Sequence, residues 1–219
     1  MNPPHRAAFL ESLRLLIAAG ARSVFVLWIS LSLLVSGCGS GSAYKPQEGD
    51  VVFQSLPHNP LIDAIEGATD SPFSHCGILH RGKEGWLVIE AIGPVKETPL
   101  REWIVQGREK QYTAFRLREK YRPKIPEFVK MAQTYEGRPY DIHYDMDDKA
   151  IYCSELIYKS FLRVTGEEMG HIQMLGQLQW MPYAGVIQQI EGGKLPLERK
   201  MITPRSLSEA AQLEKVFVQ

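Results

Sequence analysis

Apolar residues are distributed along the chain in two distinct ways. Near the start, an uninterrupted apolar run from Ser23 to Val35 (SVFVLWISLSLLV) follows the basic residues His5, Arg6, Arg14 and Arg22 and leads into Ser36, Gly37 and Cys38. A basic stretch, an apolar run and then small residues is the order of an export signal. The run is shorter than the ~18 to 20 residues a membrane-crossing helix needs, and Arg22 would be buried if it were extended backwards. From Glu48 onward the apolar residues are instead interspersed, in a strand-rich front half and a helix-rich back half without an internal repeat.

The periodicities of this second region predict its elements. Val51-Val52-Phe53, opened by Gly49-Asp50, reads as a buried strand, and Pro60 to Ala68 sets Leu61, Ile62 and Ile65 on one helix face after His58 or Asn59. Ser74 to Leu79 and Trp86 to Ile92 read as two strands of a hairpin around the polar Arg81 to Gly85 loop, and Tyr112 to Leu117 as a further strand. Pro126 to Tyr135 is an amphipathic helix with proline in its first turn and Gly137 at its stop. Tyr152 to Val164 aligns Leu156, Ile157, Ser160, Phe161 and Val164 in one stripe closed by Gly166. Thr203-Pro204 opens a last helix over Arg205 to Glu214, whereas Gly166 to Met201 has no firm period.

Composition narrows the function classes. The 219 residues suit one domain after a leader, since roughly 100 to 200 residues per domain is usual, and a monomer is expected. With 25 basic and 25 acidic residues there is no polyanion-binding excess, so a nucleic-acid partner is not expected. Three cysteines, Cys38, Cys76 and Cys153, make neither a disulfide framework nor a paired zinc motif. Leu34 to Cys38 resembles a bacterial lipobox, in which the cysteine is acylated and becomes the first mature residue; the alternative is an ordinary cleavage site near Gly37 or Ser42. The lipoprotein resemblance implies residues 1–37 as signal peptide, residues 38–47 as a tether rich in Gly and Ser, and residues 48–219 as the mature domain. It also implies a membrane anchor at Cys38 and, with Gly39 rather than aspartate next, the periplasmic face of the outer membrane if the cell is Gram-negative.

The chemistry-bearing residues lie in three separate segments. Cys153 falls at the start of the strongest predicted helix, where free backbone N–H groups and the helix dipole favour a thiolate. His75 opens a strand in which His75 and Cys76 must face opposite sides, which makes Cys76 a core residue and not a reactive one if His75 faces a cleft. Glu90 sits inside an apolar strand, where a carboxylate is costly without a partner. A hairpin loop from Arg81 to Glu84 would pair His80 with Gly85 and set His75 directly opposite Glu90. Thiolate, imidazole and carboxylate together are the arrangement of a cysteine nucleophile. Tyr140, Tyr152 and Asp50 are candidates for contacting substrate or the oxyanion. The acidic run DIHYDMDD, with His143, Asp145, Asp147 and Asp148, reads as a polar loop before a helix, so no metal is expected.

The order of motifs, GDVVFQ at Gly49, SHCGI around His75, VIEA around Glu90, EGRPYD before Tyr140 and YCSELIY around Cys153, resembles the permuted papain-like amidases, the YiiX/YebB-like branch of the NlpC-type cysteine hydrolases. In that branch the histidine precedes the cysteine because the chain is circularly permuted around the papain site. The resemblance runs from about Glu48 to Ile202. It implies an α+β fold, an antiparallel sheet or small barrel packed against helices, with Cys153, His75 and Glu90 as the triad. It also implies hydrolysis of an amide bond without a cofactor, with peptides derived from the cell wall as the expected substrate. A related branch, the lecithin:retinol acyltransferases, applies a similar cysteine and histidine to lipids, but typically has a second histidine where this chain has Glu90. A binding lipoprotein that keeps the fold without catalysis is the remaining alternative.

Overall fold

Val51, Val52 and Phe53 are all wholly buried, so the strand they form, β1 (Val51–Gln54), is covered on both faces. This is why its apolar residues run without alternation. The structure, a computed structural model, describes residues 44–219; the export signal and Cys38 lie outside the described residues. Around β1 are arranged β2 (His75–Arg81), β3 (Trp86–Ala91), β4 (Val95–Pro99), β5 (Thr113–Leu117) and β8 (Leu213–Val218), in the order β4-β3-β2-β1-β5-β8, every pair antiparallel. The sheet is open, with β4 and β8 as its edges, so of the two expected forms it is the sheet and not the barrel. A second, two-stranded sheet pairs β6 (Gln173–Met174) with β7 (Lys200–Met201).

The two faces of the large sheet have different partners. Val51, Phe53, Cys76, Ile78 and Ile89 line one face and pack against α3 (Ile125–Gln133) and α4 (Cys153–Thr165) through Phe128, Leu156, Ile157 and Phe161. Val52, Leu79, Val88 and Ala114 line the other, beneath Trp103 of α2 (Leu100–Gln106) and Tyr112. Beyond the sheet, α1 (Pro60–Thr69) starts where Asn59 Oδ1 accepts from the N–H groups of Leu61 and Ile62, each at 3.0 Å. Across from α1 lies α5 (Ala184–Ile190), and α6 (Pro204–Ser208) is capped by Thr203 Oγ1, which accepts from Ser206 N–H.

Three expectations need correction. The hairpin turns one residue later on each side than expected: Gly82 N–H donates to Gly85 O at 2.9 Å, Arg81 pairs with Trp86, and Gly77, not His75, lies directly across from Glu90. A displacement of two residues preserves the face of every side chain, because strand periodicity is two, so His75 and Glu90 still share a face as diagonal neighbours. The last helix stops at Ser208; Leu213–Val218 then pairs with β5 as an edge strand, which its Val and Phe favour once a free edge is beside them. Finally, Tyr44 does not belong to a loose tether. Its ring stacks on Phe217 at 4.8 Å and its hydroxyl donates to Asp50 at 2.8 Å, which brings the packed region forward of Glu48.

Gly77 explains how β2 and β3 approach so closely. A Cβ there would lie 2.4 Å from Val88 Cγ1 and 2.9 Å from the Ile89 carbonyl oxygen, and neither can move away without disturbing the strand. Gly77→Ala is therefore expected to destabilise the fold by about 1 to 3 kcal/mol, the usual cost of overpacking, measured as a lower urea midpoint; an unchanged midpoint would contradict this packing.

Candidate active site

Helix α4 begins at Cys153 because Tyr152 before it is extended, with φ −104° and ψ 171°, and because Glu155 accepts from the Tyr152 N–H at 3.3 Å. Glu155 is itself buried; Lys159 one turn on reaches it at 2.7 Å, and burial still holds its carboxyl up to about 7. Gly166, at φ 73°, ends the helix in the left-handed conformation. The Cys153 sulfur thus lies at the positive end of a 13-residue helix whose first N–H groups have no intrahelical partner.

β2 begins at the same place. His75 projects towards the α2 side of the sheet and Cys76 towards α4, yet both lie close enough to Cys153 to shift its ionisation. The expectation that Cys76 faces the interior holds, since it is fully buried, but the interior at this point is the flank of Cys153. On the other side of the imidazole, His75 Nε2 is 2.6 Å from Glu90 Oε2, which leaves Nδ1 as the ring nitrogen for Cys153. Thr98 Oγ1 of β4 donates to the second Glu90 oxygen at 2.6 Å. His75 is 2 % exposed and Glu90 0 %, so both groups depend on these partners.

The electrostatics favour a charge-separated pair. Cys153 is held well below its ordinary value by the Cys76 thiol, which outweighs burial, and then by the His75 imidazole and the Cys76 backbone N–H. Burial alone would lower His75, but its hydrogen bonds with Cys153 and Glu90 raise it to about 9. Glu90 is pushed up by burial and brought down further by His75, Thr98 and Lys96. Cys76 moves well above its ordinary value through burial and the adjoining Cys153 charge, so it retains its proton.

The remaining expected site residues separate. Tyr140 is near enough to Cys153 for its charge to add to burial in raising the phenol, and its hydroxyl is 3.2 Å from that of Tyr144. Tyr152 caps the helix, but its hydroxyl accepts from Ile202 N–H at 3.0 Å and so ties α4 to the segment before α6. Asp50 is not brought to the site. It lies ahead of β1, at the end opposite Gln54, which pairs with His75, and its carboxylate receives Arg116 at 2.8 Å from Nε and from Nη2. Two carboxylates of the acidic loop are held in ion pairs, Asp145 with Arg199 at 2.9 Å and Asp148 with Lys159 at 3.0 Å. Three neighbours were not anticipated: Cys76 as a partner of Cys153, Thr98, and Tyr144, which adopts φ 57° and lines the cleft beside Cys153. No feature of the sequence reading signalled them; Thr98 lies on β4, a strand that the residue pattern did not predict.

Because the Cys76 thiol supports the negative sulfur, Cys76→Ala should raise the pH at which Cys153 becomes alkylated while leaving the His75–Glu90 pair intact. Iodoacetamide labelling as a function of pH checks this; an unmoved profile would remove Cys76 from the site.

Residues 45–217 match the family model of the permuted papain-like amidase enzymes, YaeF/YiiX. An uncharacterized protein, YiiX of Escherichia coli strain K12, is 34% identical over 191 residues, spanning 85% of this chain and 92% of that protein. The crystal structure of a protein described as metalloprotein yiiX, from Escherichia coli O157:H7, superposes with a TM-score of 0.75 at 32% identity, covering 80% of this chain and 99% of that one. With the fold, the order of its motifs and the family match in agreement, the chain belongs to the permuted papain-like amidase family.

Proposed function

We propose that this protein hydrolyses an amide bond with Cys153 as nucleophile, His75 as general acid and base, and Glu90 as the group that orients and charges the imidazole. The observation that carries the reading is the His75–Glu90 contact of 2.6 Å beside a cysteine at a helix start. The sulfur attacks the carbonyl carbon, and His75 gives its proton to the departing amine. Water then adds to the thioester, returning a proton to His75 and releasing the acid. The Cys153 backbone N–H, without a partner within its helix, would receive the oxyanion, and the Tyr140–Tyr144 hydroxyl pair is the candidate second donor, since both phenols are raised and so stay protonated.

The related protein from Escherichia coli O157:H7 is described as a metalloprotein. Here, among the described residues, no group of three or more His, Cys, Asp or Glu side chains is placed to hold a metal ion. Of the acidic loop, Asp145 is committed to Arg199 and Asp148 to Lys159, and His75 Nε2 is committed to Glu90, so no step is routed through a metal. The export signal and lipobox support anchoring of the enzyme in the cell envelope through Cys38. Metabolic labelling with a fatty-acid analogue should mark the protein and be lost in Cys38→Ala; equal labelling of both would dismiss the anchor.

The test of the chemistry is the pH dependence of Cys153 alkylation in the full-length protein, mapped by peptide mass. Labelling should begin well below the thiol reference of ~8.5, and His75→Ala should move it up towards or beyond that value. His75, raised to about 9, is protonated below that pH and loses its proton above it, so hydrolysis should decline as pH rises through about 9. Glu90→Gln, by lowering His75, should bring that decline to lower pH. A Cys153 that stays inert until high pH in every variant would end the catalytic reading.

A further inference from the structure

A second pocket, of about 610 Å³, adjoins the space beside Cys153 and shares Ala68, Thr69 and Leu178 with it. Its walls are polar and come from four parts of the chain: the end of α1, His171 with Gln173 of β6, the turn carrying Gln177 and Gln179, and Arg205 with Glu209 at α6. No member of the triad lines it. Each wall is fixed by bonds within the protein. Gln179 N–H donates to Ala68 O at 2.9 Å, which holds the turn against α1. Gly170, at φ 73°, passes so close to α6 that a Cβ would lie 2.7 Å from Ser206 O, and the next N–H, that of His171, donates to Ser206 Oγ at 2.8 Å. Arg205 Nη1 donates to Thr69 O at 2.7 Å and to Asp70 O at 3.2 Å, while Nε donates to Glu209 at 2.9 Å. Walls that are set before a ligand arrives lose little freedom on binding it.

The groups left over define the ligand. Among the described residues, Arg205 Nη2 and the side-chain amides of Gln173 and Gln179 have no hydrogen-bond partner. Gln177 Oε1 accepts from Met174 N–H at 2.7 Å, which leaves its NH2 as a donor. Ser206 Oγ gives its one proton to His171 O at 2.8 Å, so across the 3.2 Å to His171 Nδ1 it accepts, and Nε2 of the neutral ring presents a lone pair. Donors and acceptors are therefore both on offer. Arg205 is paired with Asp70 and Glu209, so an incoming anion meets two carboxylates beside one guanidinium, and a cation meets the guanidinium. An uncharged ligand whose polar atoms each donate and accept fits such a lining, and the hydroxyl is the group that does both. Neighbouring hydroxyls also match the side-chain amides and the guanidinium edge, which hold their polar atoms at fixed spacings.

We propose that this pocket binds a saccharide unit through its hydroxyl groups, giving the protein a carbohydrate-binding function beside the hydrolytic site. The proposal goes beyond amide hydrolysis and stands whether or not Cys153 is the nucleophile.

The test is isothermal titration of the full-length protein, in a detergent without a sugar headgroup, with maltotriose, tri-N-acetylchitotriose, trialanine and inorganic phosphate. At least one trisaccharide should bind more tightly than about 10 mM, and trialanine and phosphate should give no heat. The bound saccharide should shield His171 from diethyl pyrocarbonate, read by peptide mass, while the exposed His58 is modified as before. The double variant Gln173→Ala, Gln179→Ala should weaken binding by about tenfold, the usual effect of losing two hydrogen bonds, and keep the wild-type rate of Cys153 alkylation by iodoacetamide. Silence of both trisaccharides, a preference for trialanine or phosphate, His171 modified equally with and without saccharide, or undiminished binding in the double variant would each overturn the proposal. None of these outcomes touches the nucleophile assignment, which is read from alkylation.

Discussion

An imidazole, a carboxylate and a thiol are buried together at one end of the sheet, and the charge of each is offset by its neighbours: Cys153 by Cys76 and His75, His75 by Cys153 and Glu90, and Glu90 by His75, Thr98 and Lys96. Removing an ion from water costs several kcal/mol even after the protein relaxes, and a buried charge without its partner is strongly destabilising. The 2.6 Å contact between His75 and Glu90 is therefore the constraint around which the neighbouring elements are arranged. Gly77 lets β3 come close enough to bring Glu90 within reach, Thr98 of β4 satisfies the second oxygen, and Trp103 of α2, its ring centroid 6.1 Å from that of His75, closes the site against water.

The thiol enters this arrangement from the opposite face of the sheet. α4 packs on β2 through Leu156, Ile157 and Phe161, and that packing sets where Cys153 arrives. A helix start favours the thiolate by a modest amount on its own. The larger effects come from the beginning of β2, where alternation sends His75 and Cys76 to different sides and both lower the Cys153 thiol. The second thiol beside the first is buried and keeps its proton, so it introduces no further charge.

The apolar cleft and the polar triad impose opposite demands on the same few residues. The cleft is walled mainly by apolar side chains, whereas the Glu90 carboxylate beside it has a partner for each oxygen. The structure separates them by direction. His75, Glu90 and Thr98 are enclosed within the sheet and beneath α2, and Cys153 alone faces both the triad and the space between α1 and α5. The connection between Gly166 and Met201, which supplies α5 and β6, belongs to the cleft wall rather than to the triad.

Elements whose signals are local were legible from the order of residues alone. The caps at Asn59 and Thr203, the stop at Gly166, the apolar stripe of α4 and the uninterrupted β1 all depend on near neighbours in the chain. Cys153 at a helix start and Glu90 inside an apolar strand could be read for the same reason, one through capping and dipole, the other through the cost of burying an unpaired charge. What depends on residues far apart was settled by packing in three dimensions. The hairpin register turned on one hydrogen bond between Gly82 and Gly85, and β8 exists because β5 offers it a free edge. Asp50 was drawn away by Arg116, 66 residues later, and Cys76 became a partner of Cys153 because α4 crosses the start of β2. Periodicity specifies the face on which a side chain lies; only the packing of distant segments decides what it meets there.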